Sequence, residues 1–256
     1  MRMTKFIESE DGYKIAYSCS GSGLGLVLLH GGFTQSRSIW TELSYVTSLQ
    51  QQYTVVCMDT RGHGDSDKPQ EERAYSIERL IRDIELVSEA MELKEFFVWG
   101  FSLGASIALH LATQRKLRGV IAAGSFFGRE LIDYGKHNIP SLEAAVRAKD
   151  ENRLDRLELS STERFFVENA DLDVALAISN AMANWSRIEP DMVKSPLLIY
   201  AGTNDEPIHS ILQQQSKDIQ NAGIELNFID KLDHFQAISE KKIVLPMVER
   251  FLHSLR

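Results

Sequence analysis

The feature that most constrains this chain is a Gly-x-Ser-x-Gly pattern, residues 100–104, set directly between an apolar run and a helix-like run. A strand that turns at once into a helix through such a serine is strained, because Ser102 needs an unfavourable backbone conformation. Gly100 and Gly104 lack the Cβ atoms that would clash where the strand and the helix cross. The turn projects a hydroxyl beside the positive end of a helix, so Ser102 is the candidate nucleophile. A glycine-rich turn that happens to contain serine is the alternative interpretation, because the five-residue pattern alone is common.

Short apolar runs alternate with helical patterns along most of the chain. The predicted strands cover residues 14–19, 24–29, 54–58, 95–99, 119–123, 197–201 and 225–229. The predicted helices cover residues 36–49, 76–91, 103–114, 208–221 and 243–255. This alternation predicts an α/β fold, in which a parallel sheet is covered by helices on both faces.

The alternation stops after residue 124, where the chain becomes a series of helices with no clear strand. A helical insertion between two strands of one sheet predicts a lid above the strand ends. We therefore expect a core domain of residues 1–124 and 191–256 and a helical cap of residues 125–190. The candidate substrate-pocket residues of the cap are aromatic, although aromatic residues at helical spacing are more often core: Phe126, Phe127 and Trp185.

Composition excludes several classes of function. A net charge of −8 argues against a nucleic-acid or anionic-membrane surface. The longest apolar run falls short of the ~18 residues that span a membrane, and the N-terminus becomes acidic too early for a secretion signal. We expect a cytoplasmic monomer or homodimer that acts on a small molecule and needs no metal or organic cofactor.

A serine hydroxyl needs a base within hydrogen-bond reach, and a carboxylate usually orients that base. Of the seven histidines, His234 is the candidate base, because it follows the last predicted strand. Strand-end loops of a parallel sheet open on the same side, where Ser102 is expected; an exposed loop histidine is the alternative. Asp205 follows the preceding strand and is the candidate acid. Glu206 is its nearest competitor, and helix N-capping is its alternative role.

An acyl-transfer reaction also needs hydrogen-bond donors for the oxyanion, and fixed backbone N–H groups contribute roughly a hundredfold to a thousandfold each in rate. Leu103 supplies one such N–H group from the first turn of its helix. The second is expected from the glycine loop after the second predicted strand, where the backbone can approach a ligand. Phe33 and Gly32 are both candidates there, and His30 is expected to brace the same loop.

Together these pieces resemble the α/β-hydrolase superfamily over essentially the whole chain. The matching segments are residues 30–32, 59–66, 100–104, 202–205 and 233–235. Their order, with serine first, aspartate second and histidine last, matches the order in the family. The resemblance implies a mostly parallel sheet of about eight strands, helices on both faces and a helical cap.

The resemblance also implies roles for single residues. Ser102 becomes the nucleophile, Asp205 the acid and His234 the base. The segment 59–66 becomes a structural turn, so its Arg61, His63 and Asp65 are expected to be scaffold. One departure is informative: the haloalkane dehalogenase and epoxide hydrolase branches carry aspartate where this chain has serine, which argues against those two chemistries.

The leading hypothesis is therefore a serine hydrolase that cleaves a small carboxylic ester through an acyl-enzyme. The same three residues would also serve a thioesterase, lactonase, amidase, carbon–carbon bond hydrolase or perhydrolase. A hypothesis of another class is a ligand receptor or signalling partner built on the same fold with little turnover.

Overall fold

A computed structural model of the chain describes residues 3–256, apart from the side chain of residue 162. Eight strands form one sheet in the order β1-β2-β4-β3-β5-β6-β7-β8. The strands are β1 (Lys5–Glu8), β2 (Lys14–Ser20), β3 (Leu24–Leu29), β4 (Tyr53–Met58), β5 (Phe96–Phe101), β6 (Gly119–Ala123), β7 (Leu197–Gly202) and β8 (Glu225–Ile229). β1 pairs with β2 and β2 with β4 in antiparallel fashion, and the other pairs are parallel. The predicted mostly parallel sheet is confirmed.

The structure differs from the prediction in one of the predicted helices and in one strand. They are α1 (Ile39–Glu42), α2 (Tyr45–Leu49), α3 (Ile77–Ala90), α4 (Leu103–Gln114), α5 (Arg129–Asp150), α6 (Ser161–Asn169), α7 (Leu172–Met182), α8 (Ile208–Asn221), α9 (Gln236–Ser239) and α10 (Lys241–Ser254). The single helix predicted over residues 36–49 is wrong, because Ser44 adopts a left-handed conformation (φ 62°) that separates α1 from α2. The sequence also missed β1, a mostly exposed edge strand without an apolar run.

The alternating side chains of the buried strands build two hydrophobic cores, one on each face of the sheet. On β3, Val27 and Leu29 pack into the core under α3, α4 and α8. Leu26 and Leu28 point the other way, into the core under α1, α2, α9 and α10. Both faces of the sheet are therefore buried, as the apolar strands require.

Helices α5, α6 and α7 lie between β6 and β7 in the chain, and this helical insertion is called the cap below. A small apolar cluster that includes Leu142 and Leu172 packs α5 against α7. The cap meets the loop after β3 through an edge-to-face contact of Phe166 with Phe33, with ring centroids 5.2 Å apart. None of the helices in the described range is both long and apolar enough to cross a membrane.

Candidate active site

Ser102 occupies the single-residue turn between β5 and α4. Its backbone has φ 53° and ψ −115°, a combination that L-residues rarely adopt. The Ser102 N–H donates to the Ala123 carbonyl at 2.8 Å, which ties the turn to the end of β6. Such strain persists only where the surroundings hold it, and it is found preferentially at functional sites.

The two glycines of the turn allow β5 and α4 to cross in close contact. A Cβ atom on Gly100 would lie 2.2 Å from the Gly104 carbonyl oxygen. A Cβ atom on Gly104 would lie 2.5 Å from the carbonyl oxygens of both His30 and Leu29. Neither position has room for a side chain, because backbone carbonyl groups occupy the space that a Cβ atom would need.

Three side chains from separate strand-end loops meet in a continuous hydrogen-bonded chain. Ser102 Oγ lies 3.0 Å from His234 Nε2, and His234 Nδ1 lies 3.0 Å from each carboxylate oxygen of Asp205. The Asp205 side chain is buried, whereas the imidazole of His234 is 40% exposed. A hydroxyl, an imidazole and a carboxylate in this order can transfer a proton from the serine as it attacks.

Neighbouring residues fix the orientation of the imidazole. The ring of Phe101 lies beside the His234 ring, with centroids 5.0 Å apart. On another side, Gly124 has φ 65°, and a Cβ atom there would lie 3.0 Å from His234 Cε1. The loop after β6 can pass this close to the ring only because Gly124 has no side chain.

The three backbone N–H groups predicted as oxyanion donors are not equivalent. Phe33 donates its N–H to His63 Nε2 at 2.8 Å, so this group is already engaged. Within residues 3–256, the N–H groups of Gly32 and Leu103 have no hydrogen-bond acceptor. Gly32 and Leu103 also line the cavity beside Ser102. Gly32 and Leu103 are thus the pair whose donors remain free for a ligand.

Two buried histidines hold the glycine loop, residues 30–33, in place. His30 Nε2 accepts the N–H of Thr60 at 3.2 Å, and His63 Nε2 accepts that of Phe33, so each ring carries its proton on Nδ1. Burial lowers the pKa of His30 to about 4 and that of His63 to about 3. Both rings are therefore neutral at physiological pH.

Two arginines anchor the segment 59–66 through four ion pairs. The buried guanidinium of Arg61 donates to Asp83 and Asp11, and Arg37 pairs with Asp59 and Asp65. These contacts position loops and place no charged group of the segment against Ser102.

A cavity of about 60 Å³ opens beside Ser102 and His234. Its walls combine apolar and uncharged polar groups: Gly32, Phe33, Ser102, Leu103, Ser106, Gly124, Ser125, Phe126, Leu131, Tyr134, Asn138, Met182, Ile208 and His234. None of these lining residues is lysine, arginine, aspartate or glutamate. The described residues also contain no group of three or more His, Cys, Asp or Glu side chains arranged to hold a metal ion.

The structure brings only one of the three expected aromatic residues to the cavity. Phe126 lines it, whereas Phe127 and Trp185 are not among the lining residues. Phe127 is fully buried in the main core. Trp185 donates its indole N–H to the Tyr75 carbonyl at 3.1 Å and packs against His110. Both side chains serve packing, which is what aromatic residues at helical spacing usually do.

The sequence did not single out Tyr134 or Asn138 as a cavity residue. Both lie on α5 with a spacing of four residues, which places them on one helix face. That spacing alone could not identify them, because the direction in which the cap helix faces depends on its tertiary packing.

Comparisons with known proteins show which proteins this chain is similar to. A protein of Bacillus subtilis (strain 168), provisionally named 2-succinyl-6-hydroxy-2,4-cyclohexadiene-1-carboxylate synthase, is 22% identical over 97% of this chain and 98% of its own length. A soluble epoxide hydrolase of Corynebacterium sp. (strain C12) is 30% identical, over 46% of this chain and 43% of its own length.

Among solved structures, an esterase from Exiguobacterium antarcticum superposes with a TM-score of 0.73 at 21% identity, covering 97% of this chain and 99% of the esterase. At that identity the superposition shows a shared fold. The family model of the α/β hydrolase fold matches residues 25–231. The chain therefore belongs to the α/β-hydrolase family.

Proposed function

We propose that this protein is a serine hydrolase that cleaves small, uncharged carboxylic esters through an acyl-enzyme. The observation that carries the proposal is the hydrogen-bonded chain from Ser102 through His234 to Asp205. His234 removes the Ser102 proton as the hydroxyl attacks the ester carbonyl, and Asp205 stabilises the imidazolium that forms. His234 then gives this proton to the departing alcohol.

Deacylation repeats the same steps with water. His234 takes a proton from the water that attacks the acyl-enzyme, and Ser102 recovers its proton when the acid leaves. The N–H groups of Gly32 and Leu103 hold the oxyanion in both halves of the reaction. The engaged N–H of Phe33 contributes indirectly, because its bond to His63 fixes the loop that presents Gly32.

The cavity supports a short and uncharged acyl group. A volume of about 60 Å³ equals the space of roughly four to six water molecules. The compound in the name of the Bacillus relative carries a carboxylate, and a buried carboxylate needs a positive partner. Because no lysine or arginine lines this cavity, we favour a neutral ester over such a substrate.

Serine at the nucleophile position disfavours epoxide opening, although one relative is an epoxide hydrolase. Attack of a carboxylate on an epoxide gives an ester, which water can hydrolyse at its carbonyl. Attack of Ser102 would give an ether, which has no carbonyl carbon and would not turn over.

We also propose that residues 1–124 and 191–256 form the catalytic core and residues 125–190 the cap. Residues 1 and 2 lie outside the described residues.

The test is pre-steady-state hydrolysis of p-nitrophenyl acetate, combined with labelling by a fluorophosphonate. We expect a burst close to one product per chain, and mass spectrometry should locate the label on Ser102. Ser102→Ala should abolish both signals. Ser106→Ala is the matched control, because Ser106 lies one turn away and its hydroxyl bonds to Ser125 rather than to His234.

Failure of both the burst and the labelling in folded wild-type protein would reject the proposal. Slow Ser102-independent turnover with tight binding of a ligand would instead favour the receptor hypothesis.

A further inference from the structure

The cap presents two polar side chains to the catalytic cavity, Tyr134 and Asn138. They lie four residues apart on α5 and line the same space as Ser102 and His234. Across the part of the chain that the structure describes, neither side chain has a hydrogen-bond partner. Tyr134 is 42% exposed and Asn138 is partly exposed, so both polar groups are open to water and can exchange that water for an oxygen of a ligand.

The other polar side chains of the cavity are engaged. Ser106 and Ser125 bond to each other through their hydroxyls at 2.9 Å. Ser102 is bonded to His234. The hydrogen-bonding capacity left for a ligand's polar substituent is therefore concentrated on the cap side.

Tyr134 lines the same cavity as His234, and its surroundings keep the phenol protonated. The ring is held edge-to-face against Phe126, with centroids 6.2 Å apart. Burial, and then the negative charge of Asp205, raise the pKa of Tyr134. The phenol therefore remains a hydrogen-bond donor at neutral pH. Asn138 adds a carboxamide that can both donate and accept.

We propose that Tyr134 and Asn138 are positioning residues that bind an oxygen substituent on the leaving alcohol of the ester, so that the preferred substrates are esters of hydroxylated alcohols. The inference rests on the proposed function, in which His234 protonates the alcohol as it leaves. The alcohol must then lie near the imidazole of His234, and Tyr134 lines the cavity on which that imidazole opens. Because the lining carries no lysine or arginine, the substituent is a hydroxyl and not a carboxylate or phosphate.

The experiment compares two acetates of equal size, 2-hydroxyethyl acetate and n-propyl acetate, which differ in one terminal oxygen. The ratio of their kcat/KM values is measured for wild type, Tyr134→Phe and Asn138→Leu. Tyr134→Phe keeps the ring against Phe126, and Lys136→Met is a matched control at an exposed position of the same helix. Intrinsic differences between the two leaving groups cancel, because every variant is tested on the same pair.

We expect each cavity variant to reduce the preference for the hydroxylated ester by about two- to tenfold, which is the effect of losing one neutral hydrogen bond. Lys136→Met should leave the preference unchanged. In both cavity variants, kcat/KM for the propyl ester should fall less than kcat/KM for the hydroxylated ester. An equal fall on both esters would overturn the inference, because it would show a general effect on the cap.

Absence of any preference in wild type would also overturn it, while Ser102-dependent hydrolysis of n-propyl acetate would leave the proposed function intact. Absence of both turnover and fluorophosphonate labelling would reject the proposed function and this inference together.

Discussion

Acid should destabilise this protein at a pH set by two buried histidines, His30 and His63. Their rings lie edge-to-face with centroids 4.9 Å apart, and both are buried. Each Nε2 accepts a backbone N–H group, so a proton added there would face another donor. The folded protein therefore resists protonation of both rings, and the unfolded chain does not.

The magnitude follows from the difference in pKa between the two states. The folded pKa values of about 4 for His30 and about 3 for His63 lie below the ordinary value of 6.5. Below pH 6.5 the unfolded chain takes up protons that the folded chain excludes, so the free energy of unfolding falls as pH falls. Between pH 7 and pH 5, each histidine should cost about 2 kcal/mol, and the loss should level off only near pH 4 and below.

Urea unfolding at several pH values between 5 and 7, followed by circular dichroism, measures this slope. His63→Gln removes one titrating ring and should reduce the slope by about 1 kcal/mol per pH unit over this range. His253→Gln is the control, because His253 is an exposed residue of α10.

An unchanged slope in His63→Gln would refute the reasoning. If that variant does not fold, NMR titration of the wild-type imidazoles provides a second test. Signals of His30 and His63 that shift with a midpoint above pH 6 would equally refute it.

Two further predictions concern the catalytic residues themselves. Ser102→Gly should be about 1 kcal/mol more stable than Ser102→Ala, because glycine tolerates the positive φ of this turn and alanine retains the strained Cβ; equal melting temperatures of the two inactive variants would contradict this account. Asp205→Asn should lower kcat for p-nitrophenyl acetate by about a thousandfold to ten-thousandfold, since the amide no longer favours the required His234 tautomer. A loss of tenfold or less would show that another group, such as Glu206, orients the imidazole.

The sequence predicted the fold well wherever burial controls the residue pattern. The apolar strands β3 and β6 and the helices α4 and α8 have the predicted bounds, because each has a continuous apolar run or face. β1 was missed because it is exposed, and the break at Ser44 was missed because a left-handed serine has no pattern of its own. Local conformations that tertiary contacts impose leave little trace in composition.

The candidate site likewise has features that the sequence predicts and features that depend on tertiary contacts. Ser102, Asp205 and His234 could be predicted to lie together because strand order brings the three loops to one edge of the sheet, and their side chains lie within hydrogen-bond distance of one another in succession. The choice between Gly32 and Phe33 depended on a hydrogen bond to His63, thirty residues away in the chain, which spacing cannot reveal. Which residues of the cap line the cavity depends on how α5 is oriented about its own axis, and the sequence alone does not determine that orientation.

The two sides of the site also differ in how firmly the fold holds them. On the core side, the Gly104 N–H donates to the His30 carbonyl at 3.1 Å, which ties the nucleophile turn to the glycine loop. The His30 ring ties that loop to the backbone after β4 through Thr60. Three strand-end loops thus share one set of buried hydrogen bonds, and the groups that we propose act on the ester carbonyl are held before substrate binds. On the cap side, Tyr134 and Asn138 remain unpaired among the described residues and are free to bond to a ligand. A substitution in the His30 and His63 pair should therefore lower the rate for every ester, whereas a substitution at Tyr134 should change only which ester is preferred.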